Sequence, residues 1–276
     1  MIKDIVVNLS VDTKTDPARD YAISVARVFD SHLSGVAFIY DPLTPGTVFD
    51  SVSASIIATQ RKIYEDAAKN AAAAFDKAAR QAAISAESRV VSATIASCAE
   101  MFGRIARLYD LSIVGQAAPD GSFDDAMVIE AALFASGRPV LVVPYIQSEP
   151  LKLDRTLVCW DGSRSATRAI SDALPFLRRS KSVEIITVAK KDDNRSEISG
   201  ADIAHHLARH GMKVNLKRIV APDTDVPNAV LSYAADASTD LIVMGGYGHS
   251  RLREFVLGGT TRGMLSSMTV PTFMSH

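Results

Sequence analysis

Two stretches of this chain follow one grammar, and that repetition limits the available folds more than any other feature of the sequence. Asp110-Leu111-Ser112-Ile113-Val114-Gly115 matches Asp240-Leu241-Ile242-Val243-Met244-Gly245. Downstream of each lies a second matching run, Pro139-Val140-Leu141-Val142 and Pro271-Thr272-Phe273-Met274, at nearly equal spacing. Each half also opens with an apolar run of strand length, at 4–9 and 156–160, and continues into a helical stretch, at 17–29 and 165–177. Two copies of one domain account for this pattern better than chance does.

The second half predicts strands at 156–160, 183–188, 213–220, 240–244 and 270–274, with helices between them at 165–177, 196–210, 227–237 and 260–267. The strands are short, continuous and β-branched, as parallel strands covered on both faces are. Alternating strands and helices specify a doubly wound sheet, because right-handed crossovers place helices on both sides. The first half repeats the scheme, with strands at 5–9, 33–40, 88–91, 111–114 and 140–143. It departs in a Pro/Gly/Ser-containing loop at 41–53 and a long Ala-rich helix at 54–83. The expected fold class is α/β: two tandem doubly wound, Rossmann-like domains, each a five-stranded parallel sheet, at 1–146 and 151–276. The polar run Ile146-Gln147-Ser148-Glu149-Pro150 serves as linker.

Composition supports this division. The chain has 276 residues, nearer to two domains of ordinary size than to one. Apolar residues make up 47% of it, enough for substantial cores. A formal net charge of −1 argues against a nucleic-acid protein with a global basic field and against a polybasic membrane anchor. Cys98 and Cys159 lie in different halves and form no disulfide or zinc pattern. The amino terminus runs straight into a strand and no apolar run approaches the ~20 residues that span a bilayer, so a cytoplasmic protein is expected.

In open α/β sheets, ligands bind beyond the carboxyl ends of the strands, where strand order reverses. In the second half, the first strand ends in Trp160-Asp161-Gly162-Ser163 and the fourth in Gly245-Gly246-Tyr247-Gly248-His249-Ser250-Arg251. Gly258-Gly259-Thr260-Thr261 then open a helix. Gly245 and Gly248 let backbone approach a ligand with no Cβ in the way. Gly258 and Gly259 leave uncovered the first amides of the last helix, which lack intrahelical partners and lie at its positive end. Thr260 and Thr261 add hydroxyls, and Arg251 and Arg253 add charge. Asp161 is placed to accept hydrogen bonds from a ribose or an amino group. An acid and an anion seat on neighbouring strand ends imply a nucleotide.

The series Gly245, Gly248, Gly258 resembles the motif of ATP-binding universal stress proteins, which is glycine, two residues, glycine, nine residues, glycine, then serine or threonine. Asp161-Gly162-Ser163 resembles the end of that family's first strand, and the doubling resembles its tandem members. The resemblance implies ATP or ADP, with or without Mg2+, as ligand. It implies that Val188 meets the adenine through its backbone, and that Gly245, Gly246, Gly248, Arg251, Gly258, Gly259, Thr260 and Thr261 surround ribose and phosphates. It implies a nucleotide-responsive stress-protection or regulatory factor that forms an intramolecular pseudo-dimer, with or without a homodimer. Gly259 departs from the motif, standing where serine or threonine is usual. The first half departs further, with Ser10 in the place of Asp161 and Gln116-Ala117-Ala118-Pro119 after Gly115.

Other readings stay open. The glycines also suit a tight turn, Trp160 suits the core, and His206 and His210, four apart, suit a solvated helix face without a third metal ligand. No serine elbow, Walker lysine or HExxH motif appears, so at most slow ATP hydrolysis is expected and no catalytic residue is assigned. A ligand-free dimerising adaptor, in which the apolar closing strands at 140–143 and 270–274 pair across a pseudo-dimer interface and bury their edges, and a weak ATPase remain the alternatives.

Overall fold

The computed structural model describes residues 1–11, 15–41, 51–117, 123–189, 200–221, 224–246 and 259–276. The chain divides into two compact units, Ile2–Arg138 and Pro139–His276.

The amino-terminal unit runs β1 (Asp4–Asn8), α1 (Pro17–Phe29), β2 (His32–Asp41), α2 (Ser51–Gln81), β3 (Ala86–Thr94), α3 (Ile95–Ala106), β4 (Leu111–Gly115) and α4 (Phe123–Phe134). Its strands lie in the order β3-β2-β1-β4, all parallel. Ile5, Val6, Val7, Leu33, Leu111 and Ile113 are fully or almost fully buried, as in a sheet covered on both faces. α1 starts where Asp16 accepts the Arg19 amide and Pro17 fixes the first turn, and it stops at Asp30, whose φ is 52°. α2 buries Ala68, Ala72, Phe75 and Ala79, a stripe at helical spacing. A Cβ at Gly35 would come within 3.0 Å of the Phe75 ring, so that glycine on β2 sets how closely α2 can lie.

The carboxy-terminal unit runs β5 (Val140–Val143), β6 (Arg155–Cys159), α5 (Arg164–Leu177), β7 (Ser182–Ala189), α6 (Gly200–Arg209), β8 (Val214–Val220), α7 (Val226–Asp236), β9 (Leu241–Gly245), α8 (Gly259–Ser267) and β10 (Thr272–Ser275). Its strands lie in the order β5-β10-β9-β6-β7-β8. All pair in parallel except β5 and β10, which run antiparallel with Leu141 opposite Phe273.

The repeated grammar has a structural counterpart. Asp110 Oδ2 accepts the amides of Lys3 and Asp4 at 2.8 and 3.2 Å, while its own amide donates to the Asp4 carbonyl. Asp240 Oδ2 does the same for Asp154 and Arg155 at 2.9 and 2.8 Å, and its amide donates to the Arg155 carbonyl. The aspartate that opens each matching run thus ties its strand to the entry of the neighbouring one.

Two features differ from the sequence expectation. β3 extends over Ala86–Thr94, well past the expected 88–91, because residues from Ala86 to Thr94 pair continuously with Leu33 to Asp41. Half-exposed polar positions hid that length from an apolar pattern. The closing strands, expected each to end a five-stranded parallel sheet or, in the adaptor reading, to pair with one another, do pair, and their pairing is antiparallel. Both are four residues long and wholly buried, and pairing removes their open edges.

Candidate functional site

From β6 the chain steps to β7 and β8 on one side, then returns to β9 and β10 on the other. Strand order therefore reverses between β6 and β9, where an open α/β sheet parts to admit a ligand.

Register brings three of the expected residues to this edge. Cys159 of β6 lies opposite Ile186 of β7, so Asp161 and Val188 each stand two residues beyond that pair. Val158 lies opposite Val243 of β9, so Gly245 falls within about one residue's rise, roughly 3.3 Å, of the same level. Asp161 is exposed and Val188 half-buried. Asp161 Oδ1 accepts the Ser163 amide at 2.9 Å, closing a turn in which Gly162 takes φ 76°, a value that favours glycine. Ser163 then caps α5, its hydroxyl accepting the Ala166 amide at 3.1 Å. The Asp-Gly-Ser run is thus both a turn with a cap and the carrier of an exposed carboxylate, which has acceptor capacity beyond one amide.

Gly245 has a different physical reason from the one its spacing suggests. A Cβ there would lie 2.5 Å from the Ala166 nitrogen and 2.7 Å from Ser165 Oγ. The glycine is required because the first turn of α5 presses against the end of β9. Gly246 is held by its backbone: its amide donates to the Ser275 carbonyl at 2.8 Å, and its carbonyl accepts from His276 Nδ1 at 3.1 Å. That amide is spent within the fold.

At the start of α8, Gly259 and Thr260 are exposed, and among the described residues nothing lies within 4 Å of the Cβ position of Gly259. Thr261 is 3% exposed, so its side chain belongs to the interior and not to the exposed helix start. Gly263 keeps α8 close to α7, since a Cβ there would come within 2.8 Å of Pro227. Gly248, Arg251, Arg253 and Gly258 lie outside the described residues.

Trp160 is 6% exposed and its amide donates to the Ile186 carbonyl at 2.9 Å, which makes it part of the core. Beside it, burial pushes the Cys159 thiol up to about 12, with the Asp161 charge adding to the shift. His206 on α6 and His210 just beyond its end stack edge to face with centroids 4.8 Å apart. Among the described residues no group of three or more His, Cys, Asp or Glu side chains is placed to hold a metal ion, and no helix is long and apolar enough to cross a membrane. Sequence reasoning missed Ser165, Ser275 and His276, which surround the exit of β9. Each is an ordinary residue whose role depends on tertiary contact.

A mostly parallel sheet, wound both ways from a central strand and carrying an acid and a close-packed glycine at its reversal, is an α/β fold of the Rossmann-like type. Residues 152–276 match the universal stress protein family and form a domain of that family. A universal stress protein of Synechocystis is 27% identical over 172 residues, 59% of this chain and 56% of that protein, so the chain spans about half the length of this curated relative. The fold of a universal stress protein from Archaeoglobus fulgidus aligns with 99% of this chain and 97% of its own at a TM-score of 0.71 and 18% identity. A universal stress protein from Pseudomonas aeruginosa aligns with 99% of this chain and 93% of its own at a TM-score of 0.61 and 16% identity.

Proposed function

We propose that the carboxy-terminal unit binds one ATP or ADP, with or without Mg2+, at the reversal between β6 and β9, and that the chain works as a nucleotide-responsive regulatory or stress-protection factor. The observation that carries this reading is the meeting of Asp161, Val188 and Gly245 on three adjacent strand ends at that reversal. Asp161 accepts from ribose or the adenine amino group, and the Val188 backbone meets the base. Phosphates are taken by the amides of Gly248, Gly258, Gly259 and Thr260 and by Arg251. Gly246 contributes shape, because its amide is engaged. First-turn amides of a helix have no partner within it and sit at its positive end, and an exposed start with no Cβ at Gly259 suits an anion. The nucleotide acts as a conformational ligand and favours the chain conformation that binds it better.

Isothermal titration with ATP is expected to give one site per chain, with binding abolished in Gly248→Val and in Gly258→Val. Wild-type affinity in both variants refutes the proposal. ATP turnover at ~1 per second or faster would instead make the protein an enzyme. A second reading, a ligand-free assembly module, is favoured by the pairing of β5 with β10 and by Gly259 in the place of a hydroxyl residue. Purified protein that neither carries nor takes up an adenine nucleotide selects this second reading.

A further inference from the structure

β3 ends the strand order of the amino-terminal unit and, among the described residues, pairs only with β2. That pairing runs unbroken from Ala86 to Thr94, with no bulge. The Ser85 carbonyl accepts the Leu33 amide, so the odd-numbered residues of β3 turn their backbone groups toward β2. The amides and carbonyls of Ala86, Ser88, Val90 and Ser92 therefore point away from the sheet, and no hydrogen bond to a described residue takes those amides. Native proteins blunt such an edge with lysine, proline, a bulge or a short strand. β3, nine residues long, has none of these. β8, which ends the strand order of the other unit, carries Lys217 and Arg218 and no acid, and is guarded in this way. The edge of β3 instead carries one acid and one base, Glu87 and Arg89, each about half exposed and paired with the other at 2.6 Å.

Those two charges flank Ser88, and their order makes the edge complementary to itself. We propose that the β3 edge is an interface between two copies of this chain, paired antiparallel about a two-fold axis at Ser88. Ser88 then exchanges backbone bonds with the partner's Ser88, and Ala86 with the partner's Val90. Glu87 stands opposite the partner's Arg89, and Arg89 opposite the partner's Glu87, at the non-hydrogen-bonded positions where side chains come closest. Sliding the partner by two residues in either direction sets Glu87 against the partner's Glu87 or Arg89 against the partner's Arg89. Sliding it by one residue turns outward groups toward inward ones and removes the bonds. One register alone satisfies both the backbone and the charges. Ser88 Oγ donates to Asp76 of α2 at 3.0 Å, so Ser88 and Val90 share the face toward α2, and the charges lie on the other. Val90, 39% exposed, gains cover from the partner's Ala86. The interface leaves the reversal between β6 and β9 untouched, so it does not depend on the nucleotide reading.

The test is sedimentation velocity of the full chain without nucleotide, over a wide range of concentration. Wild type is expected to pass from monomer to dimer as concentration rises. Glu87→Arg and Arg89→Glu each set like charges opposite one another on both sides of the axis, and should weaken dimerisation by about ten-fold or more. The exchanged variant, Glu87→Arg with Arg89→Glu, restores opposite charges and should dimerise like wild type. An equimolar mixture of the two single variants should do the same, because one copy then offers only bases at 87 and 89 and the other only acids. A folding defect in a single variant would not be repaired by mixing. A wild-type chain that stays monomeric at every concentration overturns the proposal. Single variants that dimerise as wild type does also overturn it, since association then belongs to another surface. So do single variants that fail to associate and are rescued by neither exchange nor mixing, because the charge register is then not what matters.

Discussion

The two halves of the chain share a frame and differ at one edge. Both tie the fourth strand of the repeat to the first through an aspartate, Asp110 or Asp240, that accepts two backbone amides. Both reverse their strand order beside the first strand. At that reversal they part. In the carboxy-terminal unit four residues (160–163) connect β6 to α5, and the helix start presses against Gly245 so closely that no side chain fits. In the amino-terminal unit eight residues (9–16) connect β1 to α1, and among the described residues a Cβ on Gly115 would find only the Ala18 Cβ, 3.9 Å away. The longer connection folds a carboxylate back into the edge. Asp16, 5% exposed, accepts the amides of Ser10 and Arg19 at 2.9 and 3.0 Å, and Gln116, 4% exposed, stands where the other unit has Gly246. A buried acid at one reversal and an exposed one at the other is the clearest chemical difference between the repeats. It teaches that a duplicated frame can be kept while the edge at the reversal of strand order is rebuilt by a few residues in one connection.

The largest effect is expected from the two matching glycines. Gly245→Ala forces apart β9 and the first turn of α5 and should cost ~1–3 kcal/mol, as overpacking does. Gly115→Ala should be neutral or stabilise by up to ~1 kcal/mol, since the space is open and the unfolded chain loses freedom. Denaturant unfolding of both variants measures this contrast, and equal losses break it. Next in size, Asp110→Ala and Asp240→Ala each free two partly exposed backbone amides and should each cost about 1 kcal/mol. Similar shifts in the two variants would confirm the common frame, and a shift in only one would dissolve it.

A smaller effect separates the two acids by pH. Burial holds the Asp16 carboxyl above its usual 3.8, although the Arg19 and Ser10 amides pull the other way. A raised acid contributes stability that is complete below 3.8 and is lost as pH rises through its folded value. Wild-type melting temperature should therefore lose that contribution as pH rises from 3.8, and Asp16→Asn, which still caps α1, should lack this component. An unchanged profile in the variant would show that Asp16 is not the source. The smallest effect is chemical: with its thiol pushed up to about 12, Cys159 should react with maleimide at pH 8 far more slowly in folded than in denatured protein.

Much of this frame was legible in the sequence because it depends on local signals. The doubled Asp-Leu run, the alternation of β-branched strands with helices, and the Asp-Gly-Ser turn each follow from spacing and backbone preference. The antiparallel meeting of β5 and β10 was not fixed by those signals, since a four-residue apolar strand reads the same whichever way its neighbour runs. The reason for Gly245 was hidden as well: its spacing suggested room for a ligand, whereas the contact with Ser165 and Ala166 arises only when the short 160–163 connection brings α5 onto the strand end. Thr261 looked like an available hydroxyl and turned inward, because the face a helix buries depends on its neighbours. His276 carries no motif at all.

The central claim is that one reversal of strand order receives an adenine nucleotide and the other does not. Native mass spectrometry of the intact chain with excess ATP counts bound molecules directly. One adenine nucleotide per chain, absent in Gly258→Val, is the predicted result. None or two per chain would contradict it.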